Sequence, residues 1–381
     1  MLRAVPRFLR LPSPTAAALV VASLVAAACG QGPPEQAMSR AEPVVPLASD
    51  LPGAVVDDAV DDLADLGVPL PAGEQVPAPP GEVPPAVAAP PAPAGTAPPP
   101  APEPTPAPPA PAPPVRPVEV YAGLGTWIDT YDWSFTFGKD GPLVQVADID
   151  RMADVGVQTL YVQTSRWNAP ADVLEPERLL PLIQRARVRG MSVVAWYLPT
   201  LVDPQTDLRR LLAAAALPVD AVAVDIESED VADVAERNRR LLWLSHELRH
   251  ALPETALAAI PYPPVALEVI NPALWPAFPW QALDTYYDVW MPMSYSSFRT
   301  TASGYRDGYR YTAENIDRLR ANLGSPSARV HAVGGIADAV SGADVDGMVR
   351  AAAERGAIGG SLYDWRTTPQ LLWPHLQGFR R

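Results

Sequence analysis

The stretch AVAVDIES, Ala221 to Ser228, ends an apolar run with two carboxylates one residue apart, Asp225 and Glu227. Strand side chains alternate between faces, so these two share a face, with Cα atoms about 6.6 Å apart. Such neighbours can divide labour. A half-buried acid beside another acid keeps its proton and donates it to a poor leaving oxygen, while its partner meets the positive charge that develops. A pair separated by about 5 Å is the arrangement of acid and nucleophile in retaining glycosidic cleavage. The plainer alternative is an Asp and a Glu reaching solvent where a buried strand becomes a loop, and the company they keep decides between the two.

That company is aromatic. DVWMPMSYSS places Met291, Met293 and Tyr295 on one face, and MSVVAWYLP contributes Trp196 and Tyr197. Another run ends in Tyr363, Asp364 and Trp365, and the first leads into TWIDTYDW, with Trp127, Asp129, Tyr131, Asp132 and Trp133. QTSRWN adds Gln163, Arg166 and Trp167. Ten tryptophans and twelve tyrosines stand against six phenylalanines, so rings with a polar edge predominate. Such rings stack on the C–H faces of sugars while their edges hydrogen-bond to hydroxyls. Core packing explains any one of them alone; their recurrence at successive run ends indicates a site.

The elements that must position these residues alternate in type. Short β-rich runs are VEVYAGLGTW, VQTLYVQTS, MSVVAWYLP, VDAVAVDIE, LAAIPYP, YYDVWMPMSY, RVHAVGGIA and AIGGSLYDW. Helical patterns such as PERLLPLIQRARVRG, QTDLRRLLAAAAL and TAENIDRLRANLG lie between most of them, with Gly190, Gly324 and Gly356 placed as C-terminal caps. Eight such units over residues 117–381 predict an α/β (β/α)8 TIM barrel. In it AVAVDIES is the fourth strand. Ala221, Ala223, Asp225 and Glu227 face inward, and Val222, Val224 and Ile226 pack outward, so the acids fall at the C-terminal rim where barrel active sites lie. The fifth connection, PPVALEVINPALWPAFPWQALDT, predicts an irregular excursion.

These pieces resemble glycoside hydrolase family 18, the chitinase-like barrels, whose fourth strand ends in D-x-x-D-x-D-x-E with the glutamate as general acid. DAVAVDIE retains the last two acids as Asp225 and Glu227, with Ala223 in place of the intermediate aspartate. The family's M-x-Y-D is similar to Met293-Ser294-Tyr295-Ser296, serine replacing the final aspartate. Trp365 matches the tryptophan that floors the sugar site. A D-x-E on the fourth strand also resembles the lysozyme-like barrels of family 25. The family 18 resemblance implies an N-acetylated glycan, such as chitin or peptidoglycan. Its acetamido oxygen attacks, while Asp225 orients the group, Tyr295 hydrogen-bonds to it and Glu227 protonates the leaving oxygen. Trp127, Asp129, Trp196, Tyr197, Met293, Asp364 and Trp365 are the expected substrate contacts. A non-catalytic glycan-binding barrel is the alternative.

The N-terminal third is of another kind. Residues 1–28 carry Arg3, Arg7 and Arg10 and then an apolar stretch too short to span a membrane comfortably, which takes about 20 residues. This resembles a bacterial lipoprotein signal, with Cys29, the only cysteine, as the lipidated first residue. Residues 29–116 pass through PAPPGEVPPAVAAPPAPAGTAPPPAPEPTPAPPAPAPP, a stiff polyproline-type tether, with one possible acidic helix at 53–70. The expected location is the outer face of a cell membrane through a lipid anchor, or secretion if cleavage is ordinary. A net charge of −14 without a dense basic stretch disfavours nucleic acid. GLGTW lacks the third glycine of a dinucleotide fingerprint, and no cofactor is expected. His246-Glu247-Leu248-Arg249-His250 matches H-E-x-x-H formally. It falls late on an outer-ring helix, where two histidines suit the C-terminal dipole, so no metal is expected.

Overall fold

The computed structural model describes residues 115–139 and 141–381. The signal-like segment 1–28, Cys29, the helix expected at 53–70 and the Pro/Ala run to Pro114 lie outside the described residues. Among the described residues no helix is long and apolar enough to cross a membrane.

Eight parallel strands are β1 (Gly123–Ile128), β2 (Thr159–Gln163), β3 (Ser192–Tyr197), β4 (Ala221–Ile226), β5 (Leu257–Pro261), β6 (Val289–Trp290), β7 (His331–Gly335) and β8 (Gly359–Tyr363). They pair in the order β6-β5-β4-β3-β2-β1-β8-β7, and two isolated bridges, Trp290 to Val330 and Met293 to Val333, join the ends of that order. This is a (β/α)8 barrel. Its helices are α1 (Thr130–Trp133), α2 (Val146–Asp154), α3 (Pro176–Val188), α4 (Pro204–Ala215), α5 (Val234–Ala251), α6 (Trp280–Asp284), α7 (Gly308–Leu323) and α8 (Gly342–Glu354).

Local chemistry sets the helix ends. Asp203, Asp233 and Asp307 cap α4, α5 and α7 by accepting backbone N–H groups, and Ser341 with Asp344 forms a capping box on α8. Gly324 closes α7 in the left-handed region at φ 63°, although a Cβ there would meet nothing within 4 Å. Conformation rather than space therefore demands the glycine. The fifth connection holds only a π-helical turn, Ala266–Ile270, and the short α6.

Two apolar layers result. Val222, Val224, Ile226 and Leu257 face α5 with Leu241, Leu244 and Leu248, forming part of the outer core. Trp127, Tyr161, Trp196, Ala221, Ala223, Ala258, Met291 and Met293 fill the lumen. Small residues make room for the rings: a Cβ on Gly125 would sit 2.5 Å from the Tyr161 ring. The segment VEVY, expected as part of the first strand, is instead a 3-10 turn, Val118–Tyr121. Tyr121 lies across the base of the barrel, where its hydroxyl donates to the carbonyls of Val222 (2.6 Å) and Ala256 (3.0 Å). Pro292 shortens β6 to two residues, because it brings no N–H to the ladder.

Candidate functional site

Strand alternation delivers the acid pair to the rim. Asp225 is the fifth residue of β4, registered against Ile260 of β5, and Glu227 follows the strand end. Asp225 is 6% exposed, and its Oδ1 is buried without a hydrogen-bond partner. Ala223, one step deeper on the same face, offers nothing to share its proton. Burial, and then the Glu227 charge, hold Asp225 well above the usual carboxylate range. Glu227 is half-buried. Burial, and then the neighbouring Glu229 charge, push it up to about 7. The two titrate as a pair, and the deeper carboxyl is the harder to ionise. The expected division of labour is thus modified: Glu229 and burial, more than an ionised Asp225, keep the proton on Glu227.

Tyr262, just past β5, joins the pair. Its hydroxyl donates to Glu229 Oε1 at 3.3 Å, and burial, followed by the charges of Glu227 and Glu229, opposes its ionisation. No motif in the sequence marks it. The alternation that placed Asp225 would have found it, had LAAIPYP been carried one residue beyond its strand.

The aromatic residues divide between the lumen and the outer layer. Trp127 and Trp196 point into the lumen but are only 2% and 3% exposed, so they fill it rather than offer an open face. Trp127 stacks on Tyr161 with centroids 4.2 Å apart, and its Nε1 donates to Ser361 Oγ at 2.8 Å. Ser361 in turn meets His331 Nε2 at 2.9 Å, and His331 Nδ1 lies 2.7 Å from the Tyr121 carbonyl. A carbonyl only accepts, so Nδ1 carries the proton. Burial drives this imidazole down to about 4 and keeps it neutral. Met293 is buried in the inner cluster, and the half-buried Tyr295 ring lies 6.2 Å from that of Tyr363.

Two expected contacts are corrected. Tyr197 has the opposite strand parity to Trp196, so it faces the outer core, where its hydroxyl donates to Asp207 Oδ1 at 2.7 Å beside Arg210. Trp365 lies beyond the end of β8 and turns outward, packing on Trp373 at 5.2 Å. Tyr363 is the β8 ring in the lumen, 6.1 Å from Trp127 and 6.5 Å from Trp196.

Asp129 and Asp364 stand behind this ring. The Tyr363 hydroxyl donates to Asp129 Oδ2 at 2.8 Å, and Asp129 Oδ1 accepts the amides of Tyr131 and Asp132. Asp129, Asp132 and Asp364 are buried, with oxygens within 4.8 Å of one another, the spacing of a metal-ligand group. They are already engaged. Arg366 Nη1 lies 3.2 Å from Asp132 Oδ1, Asp132 Oδ2 accepts the Asp129 amide, and Asp364 Oδ1 accepts from Thr367. A guanidinium and helix-capping amides occupy the positions where a cation would act. Burial, and then the Asp129 charge, still push Asp364 up to about 6. His246 and His250 stack at 6.4 Å on α5, in the outer helix layer.

No family model and no curated protein matches the sequence. Solved structures do match. One is the spore cortex-lytic enzyme SleL of Bacillus cereus, at 9% identity and a TM-score of 0.50, covering 68% of this chain and 74% of that one. Another is the GH18 chitinase of Cycas revoluta in complex with allosamidin, at 12% identity and a TM-score of 0.50, covering 68% and 99%. The chain shares the (β/α)8 barrel fold of these two enzymes. A variant of the same chitinase in complex with (GlcNAc)4 matches at the same identity and TM-score. At these identities the likeness is one of fold, and it leaves the chemistry of Asp225 and Glu227 to be argued from the site itself.

Proposed function

We propose that the barrel is a glycoside hydrolase acting on an N-acetylated glycan, cell-wall glycan in the first instance. The observation that carries this reading is Glu227, half-buried at the rim of β4 and pushed up to about 7, beside the buried Asp225 and above an aromatic lumen. A carboxyl with that affinity for its proton is half-protonated near neutrality and can donate to a glycosidic oxygen. An acetamido N–H hydrogen-bonded to Asp225 would favour its ionised form, giving the pair one protonated and one charged member. This reading assigns the half-buried Tyr295, past the end of β6, as the donor to the acetamido oxygen.

The test is a panel of chitin, peptidoglycan glycan and neutral polysaccharides, offered to wild type and Glu227→Gln. Wild type should release products, and the glutamine variant should bind without release, because the amide keeps the shape but has no acidic proton. Equal product formation would remove Glu227 as the acid. A second reading, a glycan-binding barrel without turnover, is favoured by the Asp225 oxygen left unpartnered above Ala223. A carboxyl that stays neutral stabilises positive charge poorly. Retention without products in both proteins would select it.

The same reading includes export and anchoring, with residues 1–28 removed, Cys29 lipidated and the Pro/Ala run as a tether to the membrane. Intact-mass measurement on detergent-extracted chain should find a diacylglycerol-sized addition at Cys29. A mature chain beginning elsewhere would defeat it.

A further inference from the structure

The rim between β1 and β2 holds an arginine and a tryptophan that neither the fold nor the acid pair accounts for. The Arg166 guanidinium lies 4.4 Å over the Tyr131 ring and 5.4 Å from that of Phe137. Among the described residues it makes no hydrogen bond or ion pair, and its Nε is buried without a partner. The acid whose charge it touches is Asp129, which already accepts from two amides and the Tyr363 hydroxyl. Next to it Trp167 is 57% exposed.

The loop that carries both residues is fixed. Arg210, 7% exposed, donates to the carbonyls of Trp167 (2.7 Å) and Ala169 (3.1 Å). Ser165 Oγ donates to the Ala171 carbonyl at 2.8 Å, and the Leu174 amide to Thr164 at 2.9 Å. A loop ordered by a buried arginine while it presents more than half of a tryptophan has met its ordering entropy before any ligand arrives. Asp129 links this rim to the lumen through Tyr363, so a chain of sugars lying over Tyr363 and running toward β2 would pass Arg166.

We infer that the Arg166–Trp167 rim is a subsite for a sugar bearing a carboxylate, its ring face on Trp167 and its carboxylate on the guanidinium fork. This rests on the glycan-binding reading above and adds the charge of the substrate. A planar fork matches a carboxylate through two parallel N–H donors. One guanidinium beside the Asp129 cluster balances a single negative charge, which favours a carboxylate over a doubly charged phosphate ester. Lactyl-ether sugars and uronic acids share this chemistry.

The test uses the full chain carrying Glu227→Gln and two acidic tetrasaccharides, a peptide-free lactyl-ether glycan and a uronic-acid glycan. Each is compared with its own methyl-amide form, which has the same shape and no charge. At least one acid should bind about tenfold tighter than its amide. That gap should narrow as salt rises from about 50 to about 500 mM. Arg166→Gln should close the gap, Arg166→Lys should keep part of it, and Trp167→Ala should weaken both forms alike. The source whose gap is larger is the ligand class. No gap with either acid, or a fall of acid and amide together in Arg166→Gln, overturns the inference. A retained gap in a chain whose wild type releases no products would remove the hydrolase reading and leave this subsite standing. Binding of no tetrasaccharide at all would end both.

Discussion

At the scale of single residues, the site turns on which carboxyl keeps its proton. Asp225 has no cation and no donor at Oδ1, and Glu227 is raised by burial and by Glu229, so both favour the neutral form. The sign for stability follows. A carboxyl whose folded-state affinity for protons exceeds its unfolded one stabilises the fold at low pH and loses that contribution as pH rises from about 4.5 through about 7. Glu227→Gln should therefore flatten this decline and leave the barrel about 3 kcal/mol more stable than wild type near pH 8, read by denaturant titration at several pH values. An unchanged slope would show that Glu227 is solvated like a surface acid. Activity should fall on the alkaline side near pH 7, and Glu229→Gln should move that limb toward acid by removing the neighbouring charge. A limb that stays put would remove Glu229 from the account.

Among elements, strand parity does most of the sorting. It sends Trp196 inward and Tyr197 outward, whereas Trp365, of the same parity as Tyr363, misses the lumen because β8 ends at Tyr363 and the chain turns away to pack it on Trp373. The helices obey local rules more closely, since acid caps start them and glycines close them. Gly324→Ala should cost about 1 kcal/mol of stability although the added methyl meets no atom, because alanine resists a φ of 63°. Thermal unfolding with Gly190→Ala alongside checks this, since Gly190 has φ 77° and equally open surroundings. A cost at neither site would contradict the conformational explanation.

For the whole molecule, the barrel has one thin seam. Every neighbouring pair from β6 round to β7 through β1 is laddered, whereas β6 and β7 meet through two isolated bridges. Trp290 and Ser294 donate across that seam to Arg329 and Val333, at 2.9 Å each, and Pro292 between them has no amide to donate. Local opening follows the least-bonded boundary. Hydrogen exchange should thus reach the Trp290 and Ser294 amides before those of β2, β3 and β4. Equal protection all round would show that side-chain packing, not the ladder, closes the ring. Tyr295 and Met293 lie on this side of the mouth, so the seam also sets how firmly that wall of the site is held.

The β/α rhythm, the inward placement of Asp225 and the excursion after β5 were legible from the chain because period and breaker residues are local properties. That Asp225 and Glu227 come together at the end of one strand was legible too, since parity on one strand needs no partner. What required the tertiary structure was every property that depends on a neighbour distant in sequence. Tyr121 looked like strand until the base of the barrel supplied two carbonyls for its hydroxyl. Trp365 looked like a floor until Trp373 offered it an outer pocket. The partners of Asp129 and Asp132 come from the far end of the chain, as Tyr363 and Arg366. Tyr262 gained meaning only when β4 and β5 lay side by side. A sequence fixes which face a side chain takes, but burial, charge and hydrogen-bond partners come from chain segments it cannot see, and these set the proton affinity on which the chemistry depends.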